Sequence, residues 1–373
     1  MKEGAEDLEG WAGAGLYDPD SPTAVDRRAL LRSLVEQGCT VEEMVAAQSR
    51  GRLFALAGDR IIRPERDQYT LAEVAGRFGA HVELVQHVWR ALGLVDPGPD
   101  VAVAGAADLE IVATCLAFTT LFGEQEAIGV IRVIGASAAR VAEAASSLVL
   151  ASPVNVSIEL RDSEFATSQL WASLAPAVPA TGRVLGIVLG HHIESVIRHS
   201  EQAGAGERGR TLRLGVGFAD LSGFTALSQV LTLEELSALL ADFEEWVHET
   251  VAAEGGRVVK FIGDAAMFCA TDPDVLARIG WALTDGRDRP GHRLAARAGL
   301  AYGDLLTQEG DYFGMPVNLA ARLVAAAEPG TVLADAAAAG ALDPDRWEVS
   351  GLPARTLRGF PEPVAPFALR RRT

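Results

Sequence analysis

The pattern of apolar and polar positions changes near residue 210 and divides the chain into two halves. Before it, apolar residues recur mainly at helical spacing, which predicts an all-α region over residues 21–203. After it, short apolar runs alternate with helical patterns and Gly-containing turns, which predicts an α+β domain over residues 211–373. The Gly-rich segment 204–210 is the predicted linker. Residues 1–20 are acidic and Gly-rich, so we expect them to be disordered.

Two capping boxes mark helix starts in the N-terminal half. Glu43 lies three positions after Thr40, and Glu73 lies three positions after Thr70. At this spacing the two side chains of each pair can accept hydrogen bonds from free N–H groups at the start of a helix. The helices predicted in this half are Val41–Arg50, Leu71–Phe78, His81–Leu92, Ala106–Phe122, Gln125–Ile134, Ser137–Val149, Glu164–Leu174 and Arg183–His199.

The C-terminal half combines strands, helices and tight turns. Gly263-Asp264 and Gly303-Asp304 each separate two apolar runs, which predicts two hairpins. We expect the helices to pack on one face of the resulting sheet. The predicted strands are Leu212–Leu221, Arg257–Ile262, Ala265–Ala270, Leu294–Tyr302, Leu305–Gln308 and Thr331–Ala334. One predicted helix is capped by Thr232 and Glu235, and two others cover Val275–Thr284 and Val317–Ala327.

Charge and cysteine content narrow the class of protein. The net charge of −17 disfavours a chain built as a whole to bind nucleic acid. Three widely spaced cysteines, Cys39, Cys115 and Cys269, are typical of buried thiols in a reducing compartment. The N-terminus lacks the features of a signal peptide, and the apolar run Ile111–Phe122 is too short to span a membrane. We therefore expect a soluble, cytoplasmic protein with no membrane partner.

Lysine is almost absent from the chain. Only Lys2 and Lys260 occur, against 31 arginines. A compact ammonium and a planar guanidinium are not interchangeable, so the one internal lysine indicates a site that needs an ammonium group. Chance remains the alternative reading.

Two aspartates stand where predicted strands end. Asp220 closes the first strand of the C-terminal half, and Asp264 lies in a hairpin turn. If the strands are neighbours, both carboxylates meet at one sheet edge and can hold Mg²⁺. The turn formed by Ser222, Gly223 and Phe224 precedes a helix, and its N–H groups can cradle phosphate oxygens. Taken singly, each aspartate is better explained as an ordinary turn residue, because Gly-Asp turns are common.

Three motifs together resemble the class III nucleotide cyclases over nearly all of residues 211–373. They are Phe-x-Asp-x-Ser-Gly-Phe-Thr at 218–225, Lys-x-x-Gly-Asp at 260–264, and Gly-Asp-Tyr-Phe-Gly-x-Pro-Val-Asn-x-Ala-Ala-Arg at 310–322. The resemblance implies a ferredoxin-like βαβ sheet with helices. It also implies conversion of ATP to 3′,5′-cyclic AMP and pyrophosphate with two divalent metal ions, Mg²⁺ or Mn²⁺.

The resemblance assigns roles to the matching residues. Asp220, Asp264 and the carbonyl of Leu221 would bind the metals, while Lys260 and Asp311 would read the purine base. Asp311 can accept a hydrogen bond from the N6 amino group of adenine, and Lys260 can donate one to N1. Guanine instead has an acceptor at O6 and a donor at N1, which match neither residue, so the pair favours ATP over GTP.

Three further residues resemble the groups that contact ribose and phosphates. Asn318 and Arg322 lie four apart, on one face of a predicted helix, and resemble the family's transition-state pair. Arg358 falls where the family carries a basic residue near the terminal phosphates, in a looser match. A cyclase site lies between two cyclase domains, and this chain has one, so the resemblance implies a head-to-tail homodimer with shared sites.

The N-terminal half resembles, in layout, soluble bacterial cyclases whose helical domain restrains catalysis, in some cases in response to pH. His191, His192 and His199 lie on the helix that enters the linker. Histidine titrates near neutral pH, so protonation could shift this helix between two packings. Solvated histidines on an exposed helix are the alternative.

Other functions remain open for this half. Its Ala-rich helices over residues 106–149 could enclose an apolar or lipid ligand, although a buried core is the favoured explanation of them. Tyr69–Leu94 resembles a helix-turn-helix, but its second helix offers only Gln86, His87 and Arg90 as base readers, so nucleic-acid binding is disfavoured. For the whole chain, the competing hypothesis is a cyclase-fold module that binds nucleotide without turnover.

Overall fold

The computed structural model describes residues 7–63, 68–151, 163–202, 211–289 and 292–372. For residues 148–151, 199–202, 289 and 292 it describes the backbone alone. It divides into two compact units, Met1–Gly190 and His191–Thr373. The division falls within a helix, whereas we predicted it at the linker 204–210, which lies outside the described residues.

The first unit is helical, as predicted. A short 3₁₀ turn covers Leu53–Ala55, and two short strands, β1 (Tyr69–Thr70) and β2 (Ala102–Ala104), pair antiparallel. The helices are α1 (Leu8–Gly13), α2 (Ala24–Glu36), α3 (Val41–Ser49), α4 (Leu56–Ile62), α5 (Leu71–Phe78), α6 (Val82–Ala91), α7 (Ala106–Phe122), α8 (Glu124–Ala151), α9 (Glu164–Leu174) and α10 (Ala177–Gln202).

Both predicted capping boxes form. The side chain of Thr40 accepts from the N–H of Glu43 at 3.3 Å, and the Glu43 carboxylate accepts from the N–H of Thr40 at 2.7 Å. Thr70 and Glu73 exchange the same two bonds at the start of α5. These helix starts are therefore determined by residues three positions apart.

The predicted disorder of residues 1–20 is wrong for the part that the structure describes. Asp7 caps α1, and Trp11 is only 3% exposed. Trp11 and Leu16 pack into a core cluster with Leu30 and Leu34 of α2. Two large apolar side chains thus bury enough surface to order a Gly-rich segment.

The two helices predicted over residues 125–149 form one continuous helix, α8. Gly135 does not break it. A Cβ at Gly135 would lie 2.6 Å from the backbone carbonyl carbon of Leu92, so this glycine permits close approach of two segments.

The second unit contains an eight-stranded sheet in the order β11-β12-β10-β8-β3-β5-β4, with β9 paired to β8. Strands β3, β4, β5 and β8, with their crossover helices, make the expected ferredoxin-like arrangement. The strands are β3 (Thr211–Leu221), β4 (Arg257–Ile262), β5 (Ala265–Ala270), β8 (Ala296–Gln308), β9 (Asp311–Phe313), β10 (Val332–Ala334), β11 (Trp347–Gly351) and β12 (Phe367–Arg371), with β6 (Arg287–Arg289) and β7 (His292–Leu294) in a separate hairpin. The helices are α11 (Phe224–Leu227), α12 (Leu233–Ala253), α13 (Pro273–Thr284), α14 (Met315–Ala326) and α15 (Ala336–Gly340).

Helices cover both faces of this sheet, so the predicted one-face packing is wrong. Phe243 of α12 and Leu276 of α13 belong to the core on one face, which we call the α12/α13 face. Ala320 and Val324 of α14 belong to the core on the other, the α14 face. Gly299 of β8 allows this second packing, because a Cβ there would lie 2.2 Å from a backbone atom of α14.

One predicted hairpin forms and the other does not. Gly263, with φ of 62°, turns the chain between β4 and β5. Residues Gly303 and Asp304 instead lie within the continuous strand β8, and the turn falls at Glu309 and Gly310, both with positive φ. The tight two-residue hairpin turns need positive φ at their first central residue at least, as Gly263 has, and Gly303 does not adopt it.

Candidate active site

The two predicted metal-binding aspartates meet at one edge of the sheet. Asp220 is paired across the sheet with Ala265 of β5 and with Arg297 of β8. Asp264 lies in the turn that precedes β5, and its carbonyl accepts a hydrogen bond from the N–H of Leu221 at 3.0 Å. The strand order therefore brings together two carboxylates that are 44 positions apart in sequence.

A guanidinium group that sequence reasoning missed lies against Asp220. Nε and Nη2 of Arg297 donate to Oδ2 of Asp220 at 2.8 and 2.5 Å. The only sequence signal was an arginine inside the apolar run Leu294–Tyr302, at a position where a strand side chain is normally apolar. The sequence does not show that Arg297 contacts Asp220, because this contact depends on the pairing of β8 with β3.

Burial and charge act together on the second carboxylate. Burial raises the pKa of Asp264, and the neighbouring charge of Asp220 raises it further, while Arg297 opposes the shift. A buried carboxyl whose pKa is raised by a neighbouring carboxylate marks a site at which added positive charge is stabilising.

The turn after Asp220 adds polar groups to this edge. The N–H of Ser222 donates to the carbonyl of Ala295 at 2.8 Å, and Gly223 has φ of 80° before the four-residue helix α11 at Phe224. The hydroxyl oxygen of Ser222 is buried and has no hydrogen-bond partner among the residues that the structure describes. A buried hydroxyl without a partner is costly, so a ligand oxygen or ion at this turn would satisfy it.

The donor set fits a hard divalent cation. Carboxylate, carbonyl and hydroxyl oxygens are the ligands that Mg²⁺ and Mn²⁺ take, often together with substrate phosphates. Among the described residues no group of three or more His, Cys, Asp or Glu side chains forms a preformed metal cage. Two carboxylates alone suit an ion that arrives with a nucleotide.

Lys260 and Asp311 form an ion pair, with 38% and 27% of their side chains exposed. Asp311 begins β9, and its Oδ1 accepts a hydrogen bond from the N–H of Tyr312 at 2.9 Å while its Oδ2 accepts from Lys260. The single internal lysine is thus placed beside the acidic residue that the resemblance pairs with it.

The other predicted substrate residues lie on and beside α14. Asn318 and Arg322 are exposed on this helix. Nε of Arg322 donates to the carbonyl of Arg358 at 3.1 Å, so the loop that carries Arg358 is attached to the predicted transition-state residue. Among the described residues, no hydrogen bond or ion pair joins this group to the aspartate pair or to Lys260 and Asp311. The chain therefore carries three separate groups.

The candidate regulatory histidines lie on α10. His191 and His192 are exposed, and the side chain of His199 lies outside the described residues. The possible base readers of the helix-turn-helix segment are engaged elsewhere: Gln86 donates to Asp96, and His87 is 3.3 Å from the Glu124 carboxylate. On α7 and α8, Cys115 and Ile131 pack against Val88 of α6 as ordinary core.

Comparison with known proteins places both halves. Residues 12–199 match the model of the adenylate cyclase regulatory domain. An uncharacterized protein of Mycobacterium tuberculosis is 43% identical over 366 residues, 97% of this chain and 94% of that protein. A pH-sensitive adenylate cyclase of the same species is 31% identical over 372 residues, covering 95% and 91% of the two chains.

A relative and a solved structure complete the comparison. An adenylate cyclase of Streptomyces coelicolor is 32% identical over 288 residues, covering 76% of this chain and 74% of that protein. The crystal structure of the adenylyl cyclase CyaB from P. aeruginosa superposes with a TM-score of 0.38 at 25% identity, covering 43% of this chain and 95% of that one. The regulatory-domain match and the full-length relatives show that the chain belongs to the bacterial adenylate cyclase family in which a helical regulatory domain precedes a class III cyclase domain.

Proposed function

We propose that the chain is an adenylate cyclase that converts ATP to 3′,5′-cyclic AMP and pyrophosphate, with two divalent metal ions, at sites shared by two copies of the chain. The observation that carries this proposal is the aspartate pair at the sheet edge, beside a buried Ser222 hydroxyl that has no partner in the described part of the chain. Adenylate cyclases among the relatives support the choice of reaction.

The residues of the aspartate edge bind and orient the triphosphate end of the substrate. Asp220, Asp264 and the Leu221 carbonyl hold the cations, which when bound lower the pKa of the ribose 3′-hydroxyl and neutralise phosphate charge. Arg297 adds a guanidinium beside these carboxylates. The Ser222-Gly223-Phe224 turn supplies N–H and hydroxyl donors to phosphate oxygens.

The remaining groups select and align the nucleotide. Asp311 accepts from the N6 amino group of adenine, and Lys260 donates to N1. Asn318 holds the ribose so that its 3′-oxygen faces the α-phosphorus. Arg322 stabilises charge that accumulates on the α-phosphoryl group, and Arg358 contacts the terminal phosphates.

A second copy of the chain completes each site. Among the described residues of one chain, no hydrogen bond or ion pair joins the aspartate edge to Lys260 and Asp311 or to the Arg322 group, which is expected if each copy supplies one part. Each site then takes Asp220 and Asp264 from one copy and the remaining groups from the other. This arrangement is the head-to-tail homodimer that the family resemblance implied.

Helix α10 supplies a second observation in favour of pairing. Segment Glu164–Arg198 is long and apolar enough to cross a membrane, and only 6% of its apolar window is buried. Gly182, Gly186 and Gly190 recur every fourth residue on α10 with open space beside each. Regularly spaced glycines permit close helix contact, so we propose that α10 pairs with its copy in a cytoplasmic dimer. Its exposed apolar residues are Val178, Val184, Leu185, Ile187, Val188, Leu189, Ile193, Val196 and Ile197.

The helical domain regulates turnover in this proposal. His191 and His192 are exposed on α10 next to apolar residues such as Val188 and Ile193. Protonation would place charge beside the apolar contact and shift the population of paired helices. The pH-sensitive relative, similar over nearly the whole chain, supports acidity as the signal.

The direct test is product formation by the full chain. With ATP and Mg²⁺ or Mn²⁺, cyclic AMP and pyrophosphate should appear in equal amounts, and cyclic GMP should form more slowly from GTP. Asp220→Asn and Asp264→Asn should abolish turnover, while Asp304→Asn, an exposed change on β8, should not. Tight ATP binding without cyclic AMP under any metal or pH would instead establish a nucleotide-binding module.

A further inference from the structure

A β-bulge on β4 determines where Lys260 points. Arg257 lies opposite Cys269 of β5 and Lys260 lies opposite Met267, so the pairing skips one residue at Val259. Side chains on a strand alternate between faces, and an extra residue reverses the alternation beyond it. Arg257 and Lys260, three positions apart, therefore share the α14 face. Without the bulge the Lys260 ammonium would point to the opposite face.

Arg257 is held by a polar cluster on that face. Its Nη2 donates to the hydroxyl of Tyr312, and its guanidinium carbon lies 5.4 Å from the centre of the Tyr312 ring. Cys269 of β5 lies directly opposite Arg257, and the guanidinium opposes the rise in the pKa of the Cys269 thiol. Cys269 is 6% exposed and Tyr312 9%. Among the described residues no carboxylate lies within ion-pair distance of Arg257, so its bonds go to neutral groups.

Burial keeps these neighbours neutral. It raises the pKa of the Cys269 thiol and of the Tyr312 hydroxyl, and burial is the largest cause in both cases. A cation–π contact and a hydrogen bond in a partly buried setting make the arginine a rigid link rather than a solvated surface charge.

The cluster joins two strands that the sheet does not join. In the described sheet β4 pairs with β5 and β9 pairs with β8, and no ladder connects β4 to β9. Only side chains bridge them: Arg257 to Tyr312, and Lys260 to Asp311. Since the N–H of Tyr312 also holds Oδ1 of Asp311, any movement of Tyr312 moves the carboxylate.

We propose that Arg257 and Tyr312, supported by Cys269, are positioning residues that set the geometry of Lys260 and Asp311 and thereby the preference for adenine over guanine. The inference rests on the proposed function, because it deepens the base-reading role of that pair. The two pairs are linked through adjacent residues on β9, Asp311 and Tyr312, and through residues three positions apart on β4, Arg257 and Lys260. A purely structural role would alter stability and leave nucleotide preference unchanged.

The experiment compares nucleotide preference in full-length variants. We expect Arg257→Met to narrow the ratio of kcat/KM for ATP to that for GTP about tenfold, chiefly through a higher KM for ATP, since imprecise hydrogen bonding weakens discrimination. Tyr312→Phe, which keeps the ring, should narrow the ratio about threefold. The double variant should be no worse than Arg257→Met, because both changes break one link.

Arg213→Met is the matched control. The guanidinium carbon of Arg213 lies 5.7 Å from the ring centre of Tyr302 in the same sheet. The Arg213→Met substitution therefore removes a similar Arg–Tyr contact that does not involve Lys260 or Asp311. This variant should keep the wild-type ratio, while Asp311→Asn should lose it. Unchanged ratios in folded Arg257→Met and Tyr312→Phe, alongside a reduced ratio in Asp311→Asn, would overturn the inference and leave the proposed function intact.

A second measurement separates the two proposals. The affinities of fluorescent ATP and GTP analogues can be measured with Ca²⁺ and without turnover. If the wild-type chain forms no cyclic AMP, the proposed reaction fails. The ratio of the two affinities still tests the inference: a ratio that narrows in Arg257→Met supports it, and equal ratios in wild type and variant refute it.

Discussion

The guanidinium of Arg297 donates to Oδ2 of Asp220 at 2.8 Å and so occupies the position of a cation beside the aspartate pair. In the absence of metal this contact offsets the repulsion between Asp220 and Asp264. A bound metal ion would compete with the arginine for the same oxygen.

Removing this arginine should therefore increase the response to metal. Arg297→Met should lower the free energy of unfolding by about 1–2 kcal/mol without metal, given a partly buried pair. Added Mn²⁺ should then raise Tm more in the variant than in wild type, because binding also relieves the carboxylate repulsion. Arg278→Met, which breaks ion pairs with Glu254 and Asp274, is the control and should not change the metal response. An equal increase in Tm with Mn²⁺ in Arg297→Met and wild type would contradict a competition between Arg297 and the metal ion for Asp220.

The raised pKa of Asp264 predicts a pH-dependent stability without metal. A pKa raised above the unfolded value of 3.8 contributes stability below pH 3.8, and this contribution is lost as pH rises through the folded-state pKa. Asparagine at position 264 does not titrate, so the Asp264→Asn variant does not lose stability in this way. Its Tm should therefore rise relative to that of wild type as the pH increases from about 4 to about 7. Saturating Mn²⁺ should remove the difference, because it stabilises only the wild-type carboxylate. A constant Tm difference across pH would refute the shift.

Shared sites predict complementation between inactive chains. Asp220→Asn lacks a proposed metal ligand and Arg322→Ala lacks the proposed transition-state group, so each homodimer should be inactive. A heterodimer holds one site with both defects and one with neither. A random equal mixture should regain about a quarter of wild-type activity. Subunit exchange is verified with differently tagged chains, and a mixture that exchanges yet stays inactive would disprove the shared site.

Histidine control predicts a pH profile that depends on α10. The full chain should gain cyclase activity several-fold from about pH 8 to about pH 5.5, since we expect protonated histidines to favour the packing of α10 in which the two copies complete each site. The triple variant His191→Ala, His192→Ala, His199→Ala should lose this dependence. His81→Ala, an exposed change on α6's N-terminal side, is the control. A triple variant with the wild-type profile would assign the sensing to other groups.

Local signals in the sequence predicted the elements and the candidate chemistry. The capping boxes at Thr40 and Thr70 and the Gly263 turn form as expected, because each acts through residues only a few positions apart. The apolar run 212–221 also predicted correctly that Asp220 stands near the end of a strand, whereas its position next to Asp264 depended on the pairing of β3 with β5, which the sequence left open.

Contacts between distant segments were decided only by the tertiary structure. The partner of Arg297 depends on the register of β8 against β3, and the direction of Lys260 depends on a bulge at Val259 that no local pattern marks. Gly135 and Gly299 look like helix or strand breakers in sequence, yet they permit close packing. Periodicity determines which face of an element is apolar, whereas register and packing determine what that face meets, and both arise only when all strands are in place.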